Sequence, residues 1–257
     1  MLKFQKIIVA SLLLLISLLI LGFFIKISIW WYAGIILATA GLLAYGSIDF
    51  RSGFFCKVLY SQTMADGTIA LTFDDGPDKS VTTAVLEVLK EQNVKAAFFC
   101  VGQKAEENPD LVKKIDKEGH VIGSHSYSHH FFFDLFRSSK MLGELEKTEE
   151  ILKKIINKKI KMFRPPYGVT NPPLARALRK MDYHIIGWSL RSKDTVISNE
   201  ESLFERLTTR VKPGDIVLFH DTKSHIVEVL NKFINFAKEK GYRFERLDNL
   251  LGIEAYE

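Results

Sequence analysis

Two adjacent carboxylates, Asp74 and Asp75, end the apolar run Ile69-Ala70-Leu71-Thr72-Phe73 and are followed at once by Gly76-Pro77. This reads as a buried strand running into a tight turn. The acids then lie at the strand's C-terminal edge, where parallel α/β proteins keep their chemistry. On an extended backbone neighbouring side chains point opposite ways, so one acid could cap a helix while the other stays in water. Whether the pair does chemistry depends on what else reaches the same edge.

Other polar residues follow later apolar runs in the same way. His125 and His129 occur in Ser124-His125-Ser126-Tyr127-Ser128-His129-His130, and Arg164 opens Arg164-Pro165-Pro166-Tyr167-Gly168. Asp194 comes after a run ending at Trp188, and His220-Asp221 after Ile216-Val217-Leu218-Phe219. Two histidines four apart plus one carboxylate match a divalent-metal ligand set with positions left open for water and substrate. Zinc suits this nitrogen and oxygen mixture best, and cobalt, nickel and iron also bind it.

With one aspartate on the metal, the other is free as a general base. A metal ion acidifies water, and a carboxylate within hydrogen-bond reach takes the proton. Arginine followed by two prolines makes a stiff loop, so Arg164 could hold that base and keep it ionised; the plainer reading is a surface ion pair. His220 could protonate a leaving group, or cap a helix together with Asp221. His120, His130, His184 and His225 read as core or surface residues, and Cys100 as a small core residue.

These residues need a scaffold that brings them to one rim. From Thr68 onward, short apolar runs predict strands at Ile69–Phe73, Ala96–Val101, His120–Gly123, Lys161–Phe163, His184–Trp188, Asp215–Phe219 and, weakly, Arg243–Leu247. Amphipathic patterns predict helices at Ser80–Gln92, Pro109–Glu118, Ser138–Ile156, Pro172–Met181, Glu201–Arg210 and His225–Lys240. About seven β-α pairs imply a parallel sheet curled into a barrel, within one domain. The lysines between Lys153 and Lys161 read as a solvated helix face.

Residues Ile7–Ile25 and Ile27–Gly46 are almost wholly apolar, and each is long enough to cross a bilayer. The first exceeds the usual length of a signal peptide's apolar region and a second follows directly, so both are read as retained spans. The chain divides into a membrane anchor at 1–50, a linker at 51–67 and a catalytic domain at 68–257. Lys3 and Lys6 at one end with Arg51 and Lys57 at the other suit a hairpin with both ends in the cytoplasm. One span and one surface-lying segment would put the domain outside. Trp30, Trp31 and Tyr32 suit an interfacial belt at the helix junction. Net charge is +5, and without a basic arm, zinc-knuckle spacing or interleaved aromatics, nucleic acid is not an expected partner.

Thr72-Phe73-Asp74-Asp75-Gly76, His125-Ser126-Tyr127-Ser128-His129, Arg164-Pro165-Pro166-Tyr167-Gly168 and Leu218-Phe219-His220 together resemble four of the five motifs of NodB-type polysaccharide deacetylases, carbohydrate esterase family 4. The resemblance covers Thr68 to Leu251 in the family's order. It implies a distorted seven-stranded β/α barrel. It implies Asp74 as base, Asp75, His125 and His129 as metal ligands, and Arg164 as the residue orienting Asp74. The backbone N–H of Tyr167 would meet the oxyanion, Leu218, Pro165 and Tyr167 would contact substrate, and His220, oriented by Asp194, would be the acid.

The fourth motif departs from the family pattern: Thr195 follows Asp194 where a tryptophan commonly walls the acyl pocket. The expected activity is metal-dependent removal of an N-acyl group, above all acetyl, from an amino sugar in a polysaccharide or peptidoglycan, at a bacterial-type cell membrane. A deacylase or deformylase of a lipid-linked amino sugar is the alternative, and an inactive sugar-binding or scaffold protein the reading from another class.

Overall fold

Alternation along one strand decides where the chemistry can sit. Strand β1, Thr68–Asp74, is buried along its whole length. Ile69, Leu71 and Phe73 join the layer beneath the helices, where Phe73 stacks on Phe98 at 5.0 Å between ring centroids and lies 5.8 Å from Phe219. Ala70, Thr72 and Asp74 therefore take the opposite face, inside the curled sheet. Burying each phenylalanine contributes about 2 kcal/mol. A slip of β1 by one residue, which would turn Phe73 inward and Asp74 outward, is opposed by that amount for its ring, with Ile69 and Leu71 adding to it.

The computed structural model describes residues 3–63 and 66–257; positions 1–2 of the expected anchor and 64–65 of the expected linker lie outside them. Two apolar helices, α1 (Lys3–Gly22) and α2 (Ile29–Ile48), come first. After β1 the chain runs through α3 (Val81–Glu91), β2 (Ala96–Cys100), α4 (Gly102–Glu107), α5 (Pro109–Lys117), β3 (Val121–Ser124), α6 (Ser138–Ile156) and β4 (Met162–Phe163). It continues through α7 (Pro172–Leu178), β5 (His184–Ile185), β6 (Leu190–Arg191), α8 (Glu200–Thr208), β7 (Ile216–His220), α9 (Ile226–Glu239), β8 (Arg243–Phe244) and α10 (Leu247–Leu251).

Seven strands form one parallel path in the order β5-β4-β3-β2-β1-β7-β6, with β8 paired to the start of β1. The expected barrel forms, distorted by an open seam between β5 and β6. The segment around Leu59 lies across that seam, bonded to Ile185 and Gly187 on one side, while Gln62 donates to Gly214 on the other. The stretch following α2 thus packs on the sheet, and Phe50 and Val58 are buried with Phe163, Trp188 and Leu218. The single strand expected at His184–Trp188 is instead β5, a break, and the separate β6. Gly187 passes so close to the Phe50 ring that a Cβ there would overlap it, and at the break the Gly187 amide bonds to the Leu59 carbonyl instead of to a neighbouring strand.

Helices α1 and α2 pack as a hairpin, with Ser11 and Thr39 hydroxyls 2.8 Å apart and the Tyr32 hydroxyl donating to the Leu18 carbonyl. Both are long and apolar enough to cross a membrane, with mean hydropathy 2.5 and 1.4. Their open end rests on the barrel. The Phe4 amide donates to the Phe54 carbonyl, and Phe54, Phe55 and Ala175 form a cluster with Phe4, Ile7 and Leu43.

Candidate active site

Parallel register sets Asp74 directly beside His220, because β1 pairs with β7. Ile216, Leu218 and His220 take the inner face of β7 by the same alternation that turns Asp74 inward. Asp74 is 2% exposed, Arg164 and Asp194 are 0% and 1%, and His220 is 6%. Arg164 donates from Nη1 to Asp74 Oδ1 at 2.7 Å and to the Thr72 hydroxyl at 2.9 Å. Its Nη2 donates to the Gly187 carbonyl, and its guanidinium lies 4.2 Å over the Phe99 ring. A surface ion pair is thereby excluded: the whole guanidinium is inside the barrel, with its charge answered by Asp74. Removing it in Arg164→Met strands a buried carboxylate and is expected to cost about 3–5 kcal/mol, read as a lowered urea midpoint.

Asp75 breaks the alternation that would have sent it away from Asp74. Its φ is +73°, in the left-handed region that residues with a Cβ seldom adopt. Both carboxylates consequently approach one imidazole: His125 Nε2 is 3.8 Å from Asp74 Oδ2 and 3.4 Å from Asp75 Oδ1. His129, also left-handed at φ +44°, brings Nε2 to 3.2 Å from the same Asp75 oxygen. The turn is clamped from behind. Lys104 donates to the Asp75 carbonyl, the Asp221 amide to the Asp74 carbonyl, and a Cβ at Gly76 would overlap the Asp221 carboxylate.

The ligand-type atoms of Asp75, His125 and His129 lie within 4.8 Å of one another, which is the spread a single cation can bridge. His125 Nδ1 is 2.8 Å from the Arg164 carbonyl; when the ring is neutral and donates there, Nε2 is left as a lone pair for a cation, and when the ring is charged Nε2 donates to Asp75. Burial opposes charge on Asp75, yet the His125 hydrogen bond and the nearby imidazoles outweigh it and hold the carboxyl well below its usual range. His129 is lowered by burial and by its neighbour His125. For His125 burial is outweighed by Asp74 and Asp75, which raise it. A divalent cation answers the same two carboxylates that draw the proton to His125, so the donor set fits one.

His220 is the other buried imidazole. Asp194 Oδ1 is 2.6 Å from its Nδ1, and Asp194 Oδ2 accepts the His220 backbone N–H at 2.7 Å. Burial pulls this histidine down, but the Asp194 bond and the charges of Asp194, Asp74 and Asp75 raise it overall. Of the histidines read as structural, His120 is buried, accepts from the Ala96 amide and is pushed down to about 4. His225 has its Nε2 3.0 Å from the Asp194 carbonyl.

Of the residues expected to contact substrate, Tyr167 is 46% exposed and its ring lies 5.0 Å from that of His129. It has φ +59° and ψ 0°, an unusual peptide for a bulky residue. Pro165 and Leu218 are buried. Thr195 is exposed, whereas Trp188 is buried in one cluster with Leu218. Sequence reading missed Glu144, whose carboxylate accepts from the Tyr127 and Ser128 amides and so holds the loop between the two histidines. A lone glutamate on an amphipathic helix carries no signal of that role.

On one rim the structure gathers a buried carboxylate held by an arginine, a buried histidine tied to an aspartate, and a metal-type triad. Residues 61–186 match the family model described as polysaccharide deacetylase. A peptidoglycan-N-acetylglucosamine deacetylase of Bacillus cereus is 37% identical over 186 residues, covering 71% of this chain and 67% of that one. A peptidoglycan-N-acetylmuramic acid deacetylase of Bacillus subtilis is 31% identical, covering 75% and 74%. The solved structure of a peptidoglycan N-acetylglucosamine deacetylase superposes with a TM-score of 0.72 at 34% identity, covering 77% of this chain and 94% of that one. The chain belongs to the polysaccharide deacetylase family, and its curled parallel sheet is the fold of that family's catalytic domain.

Proposed function

We propose that the protein is a metal-dependent N-deacetylase acting on acetylated amino sugars of a bacterial cell-surface glycan, held at the membrane by its helical hairpin. The observation that carries this reading is the pairing of Asp74 with His220 across β1 and β7, beside the Asp75-His125-His129 triad. A divalent ion held by that triad would polarise the amide carbonyl and acidify water. Asp74 Oδ1 is taken by Arg164, so Oδ2 is the oxygen that accepts the water proton. The Tyr167 peptide N–H meets the oxyanion. His220, with Nδ1 tied to Asp194, gives its Nε2 proton to the sugar nitrogen as the carbon–nitrogen bond breaks, leaving acetate and a free amine. Leu218, Pro165 and the indole of Trp188 wall the space for the acyl methyl group, which makes Trp188 the counterpart of the aromatic residue absent at Thr195.

The test is acetate release from N-acetylglucosamine oligomers and peptidoglycan, with and without chelator. Activity abolished by chelator and restored by zinc or cobalt is the expected result; release that is unaffected by exhaustive chelation rejects the metal half of the proposal. Asp194→Asn tests the acid. The proton that Asp194 retains on His220 keeps the acid form present above the ordinary histidine range, and turnover falls as pH rises through that raised value. The variant's alkaline limb in kcat should move to lower pH, with kcat down about 10²-fold. An unmoved limb would assign the proton to another group.

A second reading follows from the hairpin. Its open end, with Lys3 and Lys6, abuts the same side of the chain as Arg51 and Lys57, and only Lys26 lies at the far turn. This asymmetry favours a catalytic domain at the cytoplasmic leaflet and a lipid-linked amino sugar as substrate. A reporter fused after Glu257 that is active on one side of the membrane only separates the two settings.

A further inference from the structure

Beyond the hairpin, five large apolar side chains are exposed among the described residues: Phe131, Phe132, Leu135, Tyr167 and Val196. Three of them share one short loop, and a fourth, Tyr167, faces it. Phe131 and Phe132 stand 73% and 52% exposed and Leu135 74%, on the loop that follows His129. Phe131 packs edge-on against Phe132 at 4.9 Å and faces Tyr167 at 6.4 Å. Water-soluble domains seldom leave such a patch bare without a partner.

The hairpin says which partner. Thr170, three residues after Tyr167, donates its amide to the Ser47 carbonyl and its hydroxyl to the Gly46 carbonyl, in the last turn of α2. The next residue, Asn171, donates to the Asp134 carbonyl at 2.6 Å, inside the exposed loop. Two consecutive residues therefore connect the end of an apolar helix to the aromatic lip. Arg137 and Lys140 follow directly, with the Lys140 ammonium 3.6 Å over the Phe136 ring. Bulky apolar tips backed by basic groups suit the boundary between acyl chains and anionic headgroups.

We propose that Phe131, Phe132 and Leu135 insert into the bilayer interface beside the protein's own hairpin, so that the site opens onto the lipid surface and favours an acetylated amino sugar carried on a membrane lipid. The lip stands on geometry alone; the substrate half rests on the deacetylase reading. The lip lies outside the catalytic groups, and its role is to orient the mouth and to admit a substrate whose lipid stays in the membrane.

The test uses the full chain reconstituted into phosphatidylcholine and phosphatidylglycerol vesicles. Leu135→Cys and, as control, Val196→Cys are each labelled with an environment-sensitive dye in a Cys56→Ser background. The 135 label should shift to the blue and be quenched by lipids carrying a headgroup nitroxide, while the 196 label is quenched by aqueous iodide only. A 135 label as open to iodide as the 196 label overturns the proposal. In the second arm, Phe131→Ser with Phe132→Ser should lower kcat/KM for a lipid-anchored N-acetylglucosamine glycan about tenfold and leave a soluble oligomer within about twofold. Equal losses on both would make the lip a sugar-stacking platform and overturn membrane insertion. If the unaltered protein hydrolyses neither glycan, the deacetylase reading fails, while the quenching still decides the lip.

Discussion

Asp74→Asn is expected to lower deacetylation by about 10²–10⁴-fold while leaving metal binding in place. The substitution is nearly isosteric. The amide oxygen can still accept from Arg164 Nη1, which now meets Asp74 Oδ1 at 2.7 Å. What changes is the second atom: an amide nitrogen takes the place of Oδ2 and cannot accept a proton. Arg164 also loses its counter-charge inside the barrel, so the melting temperature should fall, and circular dichroism at the assay temperature checks that the fold is kept. The decisive comparison is kcat against metal affinity in the same preparation. Turnover within tenfold of the unaltered protein, on every acylated amino sugar tried, would remove Asp74 from the role of base.

His125→Ala should produce the complementary result, with metal affinity and turnover lost together. His125 supplies one of three donor atoms, and its ring is fixed by the Arg164 carbonyl. Loss of an outer partner alone typically costs about 10–100-fold in affinity, so loss of a ligand should exceed that. Titration with zinc or cobalt, followed calorimetrically, measures it directly. Saturating metal should restore little activity, because the remaining Asp75 and His129 leave the ion loosely placed relative to Asp74. An unchanged affinity would mean that the cation, if any, binds elsewhere, and would count equally against the membrane-held deacetylase and any metal-dependent alternative at this rim.

The strands and helices that form the barrel were legible because their patterns are strong. Helix α6 spans Ser138–Ile156, the range that its periodicity predicts, and β1, β2 and β7 match continuous apolar runs within a residue or two. The short elements were not legible. β6 consists of two residues whose pairing depends on β7, and in the break before it Gly187 packs on Phe50 and bonds to Leu59, both far earlier in the chain. Helix α4 is a six-residue helix whose start is fixed by bonds from Gly102 and Gln103 to the loop that carries the histidines. Such elements draw their order from contacts distant in sequence, and local propensity carries almost no information about those.

The site divides in the same way. Residue types and order along the chain were enough to propose Asp74, Asp75, His125, His129, Arg164, Asp194 and His220 as one candidate set, because each follows an apolar run and parallel strands deliver such residues to one rim. The sequence alone also determined the two apolar segments at the front, since span length and apolar character are local properties. Tertiary structure decided how the two adjacent acids differ. The alternation rule that would set them on opposite faces fails at Asp75, where a left-handed turn, clamped by Lys104 and Asp221, swings the second carboxylate to the histidines. It also decided that Arg164 is buried against Asp74, and that the hairpin's end lies two residues from the exposed aromatic lip. A backbone conformation opposed by local sterics persists only where surrounding contacts hold it, and those contacts exist only once the chain has closed on itself.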